Sequence, residues 1–287
     1  MRQYSCRRSE SGSIIVVALW VLVILSVMGV ALGNFVQGQI KFSSSLGRKA
    51  ISAPLARAAC RDAIKERRAD ATPGFDSPGE LARERSHSFD NGTGYKYHFE
   101  DELSKINVNT AKKEVLARLP GLDEDLADKI VNSSRRPFKV KEELLLVEDL
   151  TKDNFDKFKE LVTVYGKGKV NINTASQPVL EALGLDEDVA KMIIRYRAES
   201  AGPDQKKDTP DDGAFTDPAL ILTQLQKFDN GLSARDEEDI IALKPLLATV
   251  SGYLTVKVSA LVRSAAGGGY AAVIDTEKEK VLFWSEL

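Results

Sequence analysis

The stretch SIIVVALWVLVILSVMGVALGNFVQGQI, residues 13–40, contains no Asp, Glu, Lys or Arg. As a helix it would be about 42 Å long at ~1.5 Å per residue, which exceeds the ~30 Å hydrocarbon core of a bilayer. Its richest part, residues 14–32, is almost entirely Ile, Val, Leu, Ala, Trp and Met. This stretch predicts a membrane-length helix to which the rest of the chain is attached.

The overall composition excludes several classes of function. The 287 residues carry a formal net charge of −2, which gives no electrostatic reason to expect a polyanionic partner. Cys6 and Cys60 lie on opposite sides of the apolar stretch, so we do not expect them to form a disulfide. His87 and His98 fall on polar segments and are expected to face solvent. Because the sequence shows no nucleophile–base pair and no Cys/His metal cluster, we predict no enzymatic activity.

Two interpretations of the N-terminus follow from its residues. Residues 1–12 are polar, carry three arginines and end in Gly12. A secretory signal peptide would be cleaved after the apolar stretch, and the Gly-Val-Ala at residues 29–31 is an acceptable site. A plain membrane anchor would keep the arginines in the cytoplasm. The leader by itself leaves both interpretations open.

A third interpretation rests on a resemblance to a known family. A short basic leader that ends in Gly and runs directly into an apolar helix resembles the class III leader of type IV pilins and type II secretion pseudopilins. The resemblance implies that a prepilin peptidase cuts between Gly12 and Ser13 on the cytoplasmic side and methylates the new N-terminus. It also implies a single-pass protein of the bacterial inner membrane, with a cytoplasmic N-terminus and a periplasmic body.

Val17 departs from the pattern of major pseudopilins, which carry Glu at the fifth mature position. In an assembled filament that carboxylate is thought to meet the N-terminal ammonium of a neighbour, and an unpaired charge among apolar helices is expensive. A subunit with Val17 offers an ammonium but no acceptor, which suits the end of a filament. The resemblance therefore narrows to the minor pseudopilin K family of type II secretion (general secretion pathway protein K).

Residues 41–68 predict a continuation of the helix beyond the membrane. Ile51, Leu55, Ala59 and Ala63 recur every four residues and form an apolar stripe that we expect to pack on a sheet. We expect Pro54 to kink or break this helix. The basic residues on its other faces, which are Arg57, Arg61, Lys65 and Arg68, read as a solvated surface.

Period-two alternation predicts a small antiparallel sheet. Residues 71–94 are rich in Gly, Pro and Ser and read as a loop with one short helical turn, and residues 95–100 then alternate as a strand. Residues 254–262, 270–274 and 281–284 predict three more strands near the C-terminus. Residues 267–269, Gly-Gly-Gly, are expected to form a flexible turn.

The strongest internal feature is a duplication. The hexapeptide INVNTA at residues 106–111 recurs as VNINTA at residues 170–175, and GLDED at residues 121–125 recurs at residues 184–188. Two copies of one supersecondary unit are therefore predicted. In each copy an Asn, Asn109 or Asn173, is expected to cap a first helix, and a glycine, Gly121 or Gly184, to end it. The residues Asp123 and Asp186 are expected to cap the second helices.

Each unit resembles a helix-hairpin-helix, and units of that kind commonly bind DNA phosphates through backbone N–H groups. The Asn-x-Asn-Thr-Ala opening also resembles DNA-uptake proteins of competence systems. In this chain each hairpin presents three successive acids, at residues 123–125 and 186–188, which would repel a phosphate. A membrane-tethered DNA-binding protein of an uptake or type IV pilus system is therefore kept as the alternative, and no nucleic-acid partner is expected.

Further passages resemble the pseudopilin K family, including residues 101–107 (DELSKIN) and Pro137-Phe138. Many members of that family carry an Asp-rich calcium loop before this Phe, whereas here residues 132–136 read Asn-Ser-Ser-Arg-Arg. The acid-rich loop at residues 202–217 lacks the spacing of an EF-hand loop. We expect no cofactor, with calcium as the alternative. Its weak candidate ligands are Asp204, Asp208, Asp211 and Asp212.

Together these features predict an α+β fold in which an N-terminal transmembrane and stem helix packs on a small antiparallel sheet, as in pilins. An all-α domain of two helix-hairpin-helix-like repeats is inserted into it. The expected divisions are a leader (1–12), a transmembrane and assembly helix (13–40), a stem, linker and first strand (41–103), an inserted domain (104–250, with repeats at about 104–166 and 168–250) and C-terminal strands (251–287).

The expected function is that of a minor pseudopilin at the pseudopilus tip, controlling its initiation and length during protein export. Its expected partners are the other minor pseudopilins, the major pseudopilin, the prepilin peptidase and the inner membrane.

Overall fold

The structure is a computed structural model that describes residues 11–70, 72–200, 212–262 and 265–287. It confirms the predicted fold class, with a long apolar helix packed on an antiparallel sheet and a helical part between two of the strands. The helices are α1 (Ser11–Arg68), α2 (Pro78–Ala82), α3 (Lys113–Ala117), α4 (Glu124–Val131), α5 (Lys152–Phe158), α6 (Gln177–Leu183), α7 (Glu187–Glu199), α8 (Ile221–Phe228) and α9 (Ala234–Leu243). Short 3₁₀ segments lie at Glu102–Ser104, Lys141–Leu146, Pro218–Leu220 and Lys244–Leu246.

The strands form one sheet of five and two small pairs. In chain order they are β1 (Arg85–Ser88), β2 (Gly94–Asp101), β3 (Ile106–Asn107), β4 (Val162–Thr163), β5 (Val170–Asn171), β6 (Leu247–Ala248), β7 (Tyr253–Val262), β8 (Ala265–Asp275) and β9 (Lys280–Glu286). The five-stranded sheet has the order β1-β2-β7-β8-β9 and is antiparallel throughout. Strand β1 was predicted as loop, because its sequence Arg-Ser-His-Ser carries no apolar alternation.

Helix α1 is continuous over 58 residues, so the predicted break at Pro54 is wrong. A proline inside a helix removes one N–H and leaves the carbonyl four residues earlier without its helical partner. Here both Pro54 and Ala50 are exposed, so water can satisfy that carbonyl.

The stripe of α1 that packs on the sheet differs from the predicted one. Ala59 and Ala63 are fully buried as expected, but Ile51 is 42% exposed. The buried positions are instead small residues, namely Ser52, Ala56, Ala59, Cys60 and Ala63. They bring the helix backbone close to the aromatic and aliphatic side chains of the sheet, of which Tyr95, Phe99, Leu254, Val256 and Tyr270 are buried in the same core.

The Gly-Gly-Gly at residues 267–269 belongs to β8 and not to a turn, which corrects the prediction. A Cβ atom built on Gly267 would lie 2.6 Å from Val262 Cγ2 and 3.4 Å from Ser52 Cβ. A side chain here would collide with Val262 of the neighbouring strand, which favours glycine, whereas Ser52 of helix α1 lies at an ordinary contact distance.

The two repeats share one hydrophobic core and use the same local architecture. In the first repeat β3 pairs in parallel with β4, and in the second β5 pairs in parallel with β6. Each pair joins the start of its repeat to its end. Buried side chains of both copies, such as Leu116, Phe158, Leu180 and Ile193, belong to a single cluster.

The predicted capping role of Asn109 and Asn173 is wrong. Helices α3 and α6 begin later, after Lys112 and Ser176. Each asparagine instead binds the backbone of a distant phenylalanine. The N–H of Phe215 donates to Asn173 Oδ1 (2.7 Å) while Asn173 Nδ2 donates to the Phe215 carbonyl (2.9 Å). Asn109 holds Phe138 in the same way, with the same two distances.

Gly121 and Gly184 both have positive φ, at 84° and 117°, and Gly184 caps α6 as predicted. Gly121 lies three residues beyond Arg118, which caps α3. Asp123 caps α4 by accepting from the Leu126 N–H at 2.8 Å, whereas Asp186 stands at the start of α7 without a side-chain bond.

We predict that Asn173→Ala destabilises the helical part by about 1–3 kcal/mol, because it leaves the buried N–H and carbonyl of Phe215 without partners. Thermal unfolding of the full chain in detergent measures the change. The matched control is Asn132→Ala, whose exposed side chain bonds only to Asp128. Equal melting temperatures for the two variants would contradict the role assigned to Asn173.

Candidate functional site

The N-terminal part of α1 is an apolar surface that the rest of the described chain leaves uncovered. Every residue from 14 to 44 is exposed, with Val17 at 58% and Trp20 at 62%. The span Ile14–Arg68 contains a window with a mean hydropathy of 3.0 that is not buried at all. By its length and composition this helix can cross a membrane.

The predicted processing and assembly positions lie at the start of this helix. Gly12 and Ser13 are part of α1, and Val17 follows on the exposed apolar surface. Residues 1–10 of the predicted leader lie outside the described residues. The helix is therefore continuous from the predicted cleavage point to the sheet.

The candidate calcium ligands are only partly covered by the structure. Asp204, Asp208 and Asp211 lie outside the described residues, and Asp212 lies in a turn shortly before Phe215. Within the described ranges no group of three or more His, Cys, Asp or Glu side chains is arranged to hold a metal ion.

A buried acid pair, Asp101 and Glu102, joins the sheet to both repeats. Asp101 Oδ2 accepts from Asn171 Nδ2 (2.7 Å) and from Thr174 Oγ1 (2.6 Å) in the second repeat. Glu102 accepts from Thr163 Oγ1 in the first repeat and from Thr255 Oγ1 of β7, both at 2.6 Å. The two acids are 5% and 6% exposed. The end of β2 is thus tied to each copy of the duplication by one carboxylate.

The two carboxylates differ in their electrostatics. Burial raises the pKa of Asp101, although hydrogen bonds from hydroxyl, amide and backbone donors oppose it. Burial acts in the same direction on Glu102, but the ammonium of Lys105, 2.9 Å away, and the two threonine hydroxyls outweigh it and lower its pKa. Glu102 is therefore the stable anion of the pair.

A second buried network links the end of α1 to the end of the second repeat. Arg67 contacts three acids, which are Asp70 (3.0 Å), Asp76 (2.5 Å) and Glu80 (2.9 Å). Asp76 also accepts from the Ser251 N–H at 2.5 Å. Burial raises the pKa of Asp76 to about 6, against the lowering effect of Arg67 and of that N–H. This network fixes the loop after α1 against the point where the chain re-enters the sheet.

In each repeat a partly buried arginine binds carbonyls instead of acids. Arg136 donates to the carbonyls of Ala111 (2.9 Å) and Val131 (3.2 Å). Arg197 donates to the carbonyls of Ala175 (2.5 Å) and Ile172. Burial lowers the pKa of both guanidinium groups. Since Ala111 and Ala175 are equivalent in the duplication, the two arginines have the same structural role.

The hairpins carry acids where a DNA-binding hairpin needs cations. The acids at residues 123–125 open α4, where the helix dipole favours negative charge. The nearest lysine of this helix, Lys129, is held by Asp125 and Asp149, each at 2.7 Å. Arg118 points to the other repeat and donates to the Ala182 carbonyl at 3.4 Å. The geometry of the first hairpin therefore does not favour a phosphate ligand.

Comparisons with known proteins agree with this architecture. Residues 102–163, which cover most of the first repeat, match a family described as a helix-hairpin-helix motif. No curated protein sequence matches the chain. Among solved structures, the chain is similar to a chain in the crystal structure of the GspK-GspI-GspJ complex from the type 2 secretion system of enterotoxigenic Escherichia coli. The TM-score is 0.55 at 15% sequence identity, and the match covers 88% of this chain and 98% of that one. The two chains share a fold.

Sequence reasoning missed the residues that join the sheet to the repeats. The sequence places Asp101 and Glu102 only within the passage DELSKIN at residues 101–107, and nothing in it singles out Arg67. Their partners lie up to 153 residues away in sequence, as between Glu102 and Thr255. For Arg136 the sequence offers one indication of a structural role, because this residue directly precedes the family-like Pro137-Phe138.

We predict that Glu102→Gln lowers the free energy of unfolding at pH 7 by about 1–3 kcal/mol, because it removes a hydrogen-bonded anion. The folded-state pKa of Glu102 lies below its ordinary value of 4.5, so its contribution is full above pH 4.5 and is lost as the pH falls through the folded value. The gap in melting temperature between wild type and variant should therefore narrow as the pH falls below 4.5. Glu100→Gln, a change at an exposed residue of β2 two positions before Glu102, is the control. A gap that is unchanged by acid would refute this assignment.

Proposed function

We propose that this chain is a minor pseudopilin of a type II secretion system, similar to the K family, and acts at the tip of the pseudopilus. The observation that carries the proposal is the combination of an exposed apolar helix continuous with a pilin-like sheet and a bulky helical insertion in that sheet. The shared fold with a chain of the GspK-GspI-GspJ complex supports it.

The exposed part of α1 has the chemistry of both a membrane anchor and an assembly element. Its apolar surface is stable in a bilayer or among similar helices, but not in water. In the proposed cycle, prepilin peptidase removes the leader after Gly12 and methylates Ser13, and the helix then leaves the inner membrane to pack beside other pseudopilin helices. The N-terminus faces the cytoplasm before processing, and the sheet and repeats lie in the periplasm.

The helical insertion supports a position at the end of the filament. It is held rigidly to the sheet by the acid pair Asp101 and Glu102 and by the Arg67 network. A bulky body fixed beside the sheet would obstruct the addition of a further subunit above it. Val17 also favours a position at the filament end, because at this residue the chain lacks the carboxylate that would receive a neighbour's ammonium.

The proposed partners are the other minor pseudopilins and the major pseudopilin, which would contact the chain first through their own N-terminal helices. The proposed role is structural and not catalytic, and it contributes to pseudopilus initiation, length control and export of proteins across the outer membrane. A DNA-binding role is not favoured, despite the helix-hairpin-helix match at residues 102–163, because acids occupy both hairpins.

We predict that the mature protein begins with N-methylated Ser13. Mass spectrometry of the N-terminal peptide of protein purified from membranes measures this directly. The same host without its prepilin peptidase is the control, in which the chain should retain Met1. A mature start near Leu32 would instead indicate a secretory signal. An intact Met1 in the wild-type host would indicate a plain anchor and would remove the pseudopilin assignment.

We predict that Val17→Glu lengthens pseudopili, because the new carboxylate gives a neighbour's N-terminal ammonium an acceptor on the tip subunit. Electron microscopy of pseudopili from cells that overproduce the system measures their length. Val16→Glu is the matched control, since it adds the same charge to the same exposed helix at a different position. If pseudopili keep their length with Val17→Glu, in a variant that is still processed at Gly12, the proposed role of this position is contradicted.

A further inference from the structure

The two edges of the five-stranded sheet have opposite character. Strand β1 forms one edge with the short polar sequence Arg-Ser-His-Ser. Strand β9 forms the other edge and exposes Val281 (45%), Leu282 (45%) and Phe283 (38%). In the described part of the chain β9 pairs only with β8, so the backbone groups on its outer side have no strand partner. An apolar edge with free backbone groups is a template for another strand.

A groove runs between this edge and helix α1. It has a volume of about 700 Å³ and is lined by Pro54, Ile64, Val281 and Trp284, with two arginines at its side. Helix α1 packs mainly over β2, β7 and β8, and beside β9 it leaves this groove open. Trp284 packs on Tyr270 with ring centroids 5.4 Å apart, so the floor of the groove is fixed.

The two arginines of the groove, Arg57 and Arg61, lie one helical turn apart and are both exposed. Neither forms an ion pair with an acid of the described chain. Three other cations of the same helix do: Lys49 contacts Glu286 at 2.8 Å, Lys65 contacts Asp62 at 3.7 Å, and Arg68 contacts Glu279. An apolar groove bordered by unpaired arginines is complementary to a segment that carries both aliphatic residues and carboxylates.

We propose that the edge of β9 and this groove bind an extended acidic segment of a different protein subunit. The segment adds to the sheet as a sixth strand, its backbone pairs with β9, its apolar side chains contact Val281 and Trp284, and its carboxylates contact Arg57 and Arg61. Strand addition at a free edge is a common mode of peptide recognition. The proposal deepens the proposed function, on which it rests for the expectation that the partner is another pseudopilus subunit.

A second copy of this chain does not fit the same edge. Antiparallel pairing of two β9 strands needs a two-fold axis perpendicular to the sheet. That axis would point the two α1 helices in opposite directions, so their apolar ends could not enter one membrane. Parallel pairing keeps the helices in one direction, but it places Lys280 beside Lys280 and Glu286 beside Glu286 of the copy, where like charges repel. The occupant is therefore a heterologous strand.

Site-specific photo-cross-linking in the native host tests this proposal. The full-length chain carries p-benzoylphenylalanine in place of Leu282 on β9, or in place of Ser86 on β1 as the control edge. We expect one adduct from position 282 and none from position 86. Mass spectrometry of the linked peptide should place the cross-link in an extended, acidic segment of a subunit other than this chain.

Charge reversal distinguishes the contribution of the two arginines to binding from the contribution of the β9 edge. In the position-282 background, Arg57→Glu with Arg61→Glu should reduce the adduct by at least about tenfold. The matched control is Arg135→Glu with Lys139→Glu, two exposed cations of the helical part, which should leave the adduct unchanged. Because all four positions are exposed, none of these changes is expected to unfold the chain. Equal melting temperatures of the purified variants verify this.

Three outcomes would overturn the proposal: no adduct at position 282, an adduct with a second copy of this chain, or an adduct unaffected by reversal of Arg57 and Arg61. These outcomes are distinct from failure of the proposed function. If the N-terminus remains unprocessed but the adduct with an acidic strand forms, the docking site stands and the pseudopilin assignment fails. If Ser13 is methylated but no adduct forms, the assignment stands and the docking site fails.

Discussion

The arrangement of this molecule depends on two adjacent buried carboxylates at the point where β2 leaves the sheet. A buried anion is stable only if donors surround it, and Asp101 and Glu102 find those donors on three separate parts of the chain. The second repeat provides an amide and a hydroxyl, the first repeat provides one hydroxyl, and β7 provides another. Moving either repeat away from the sheet would take hydrogen-bond donors away from one of these two carboxyl groups. The acid pair therefore fixes the helical insertion relative to the sheet.

The repeated Asn-x-Asn motif makes partly the same and partly different contacts in the two copies of the duplication. In both copies the second asparagine of the motif, Asn109 or Asn173, holds a phenylalanine backbone with the same geometry. The first asparagine differs: Asn107 donates to the carbonyls of Tyr165 and Gly166 inside its own repeat, whereas Asn171 donates to Asp101. The internal contacts of the unit are thus preserved in both copies, and only the second copy uses this position to contact the sheet.

Helix α1 shows how one element meets two environments. Up to about residue 46 its surface is large, apolar and exposed, which suits lipid or other apolar helices. From Ser52 to Ala63 the side that faces the sheet is made of small residues, and Gly267 and Gly268 of β8 lie against the first of them, Ser52. Close approach of helix and sheet leaves no space for bulky side chains, so Ile51 and the charged residues lie outside the contact. The same helix therefore joins an exposed apolar surface to the folded body.

The sequence alone determined the apolar helix, the main strands, the duplication and the fold class, because each depends on a local period or a direct repeat. It also predicted glycine helix ends at Gly121 and Gly184, and both glycines have positive φ, although only Gly184 caps its helix directly. Tertiary structure decided the rest. The buried face of α1, the strand role of residues 267–269, the long-range bonds of Asn109 and Asn173 and the burial of Arg67, Asp101 and Glu102 depend on partners distant in sequence. Side-chain polarity does not reveal such partners, because the residue type of an acid does not show whether the folded chain will bury it or leave it in solvent.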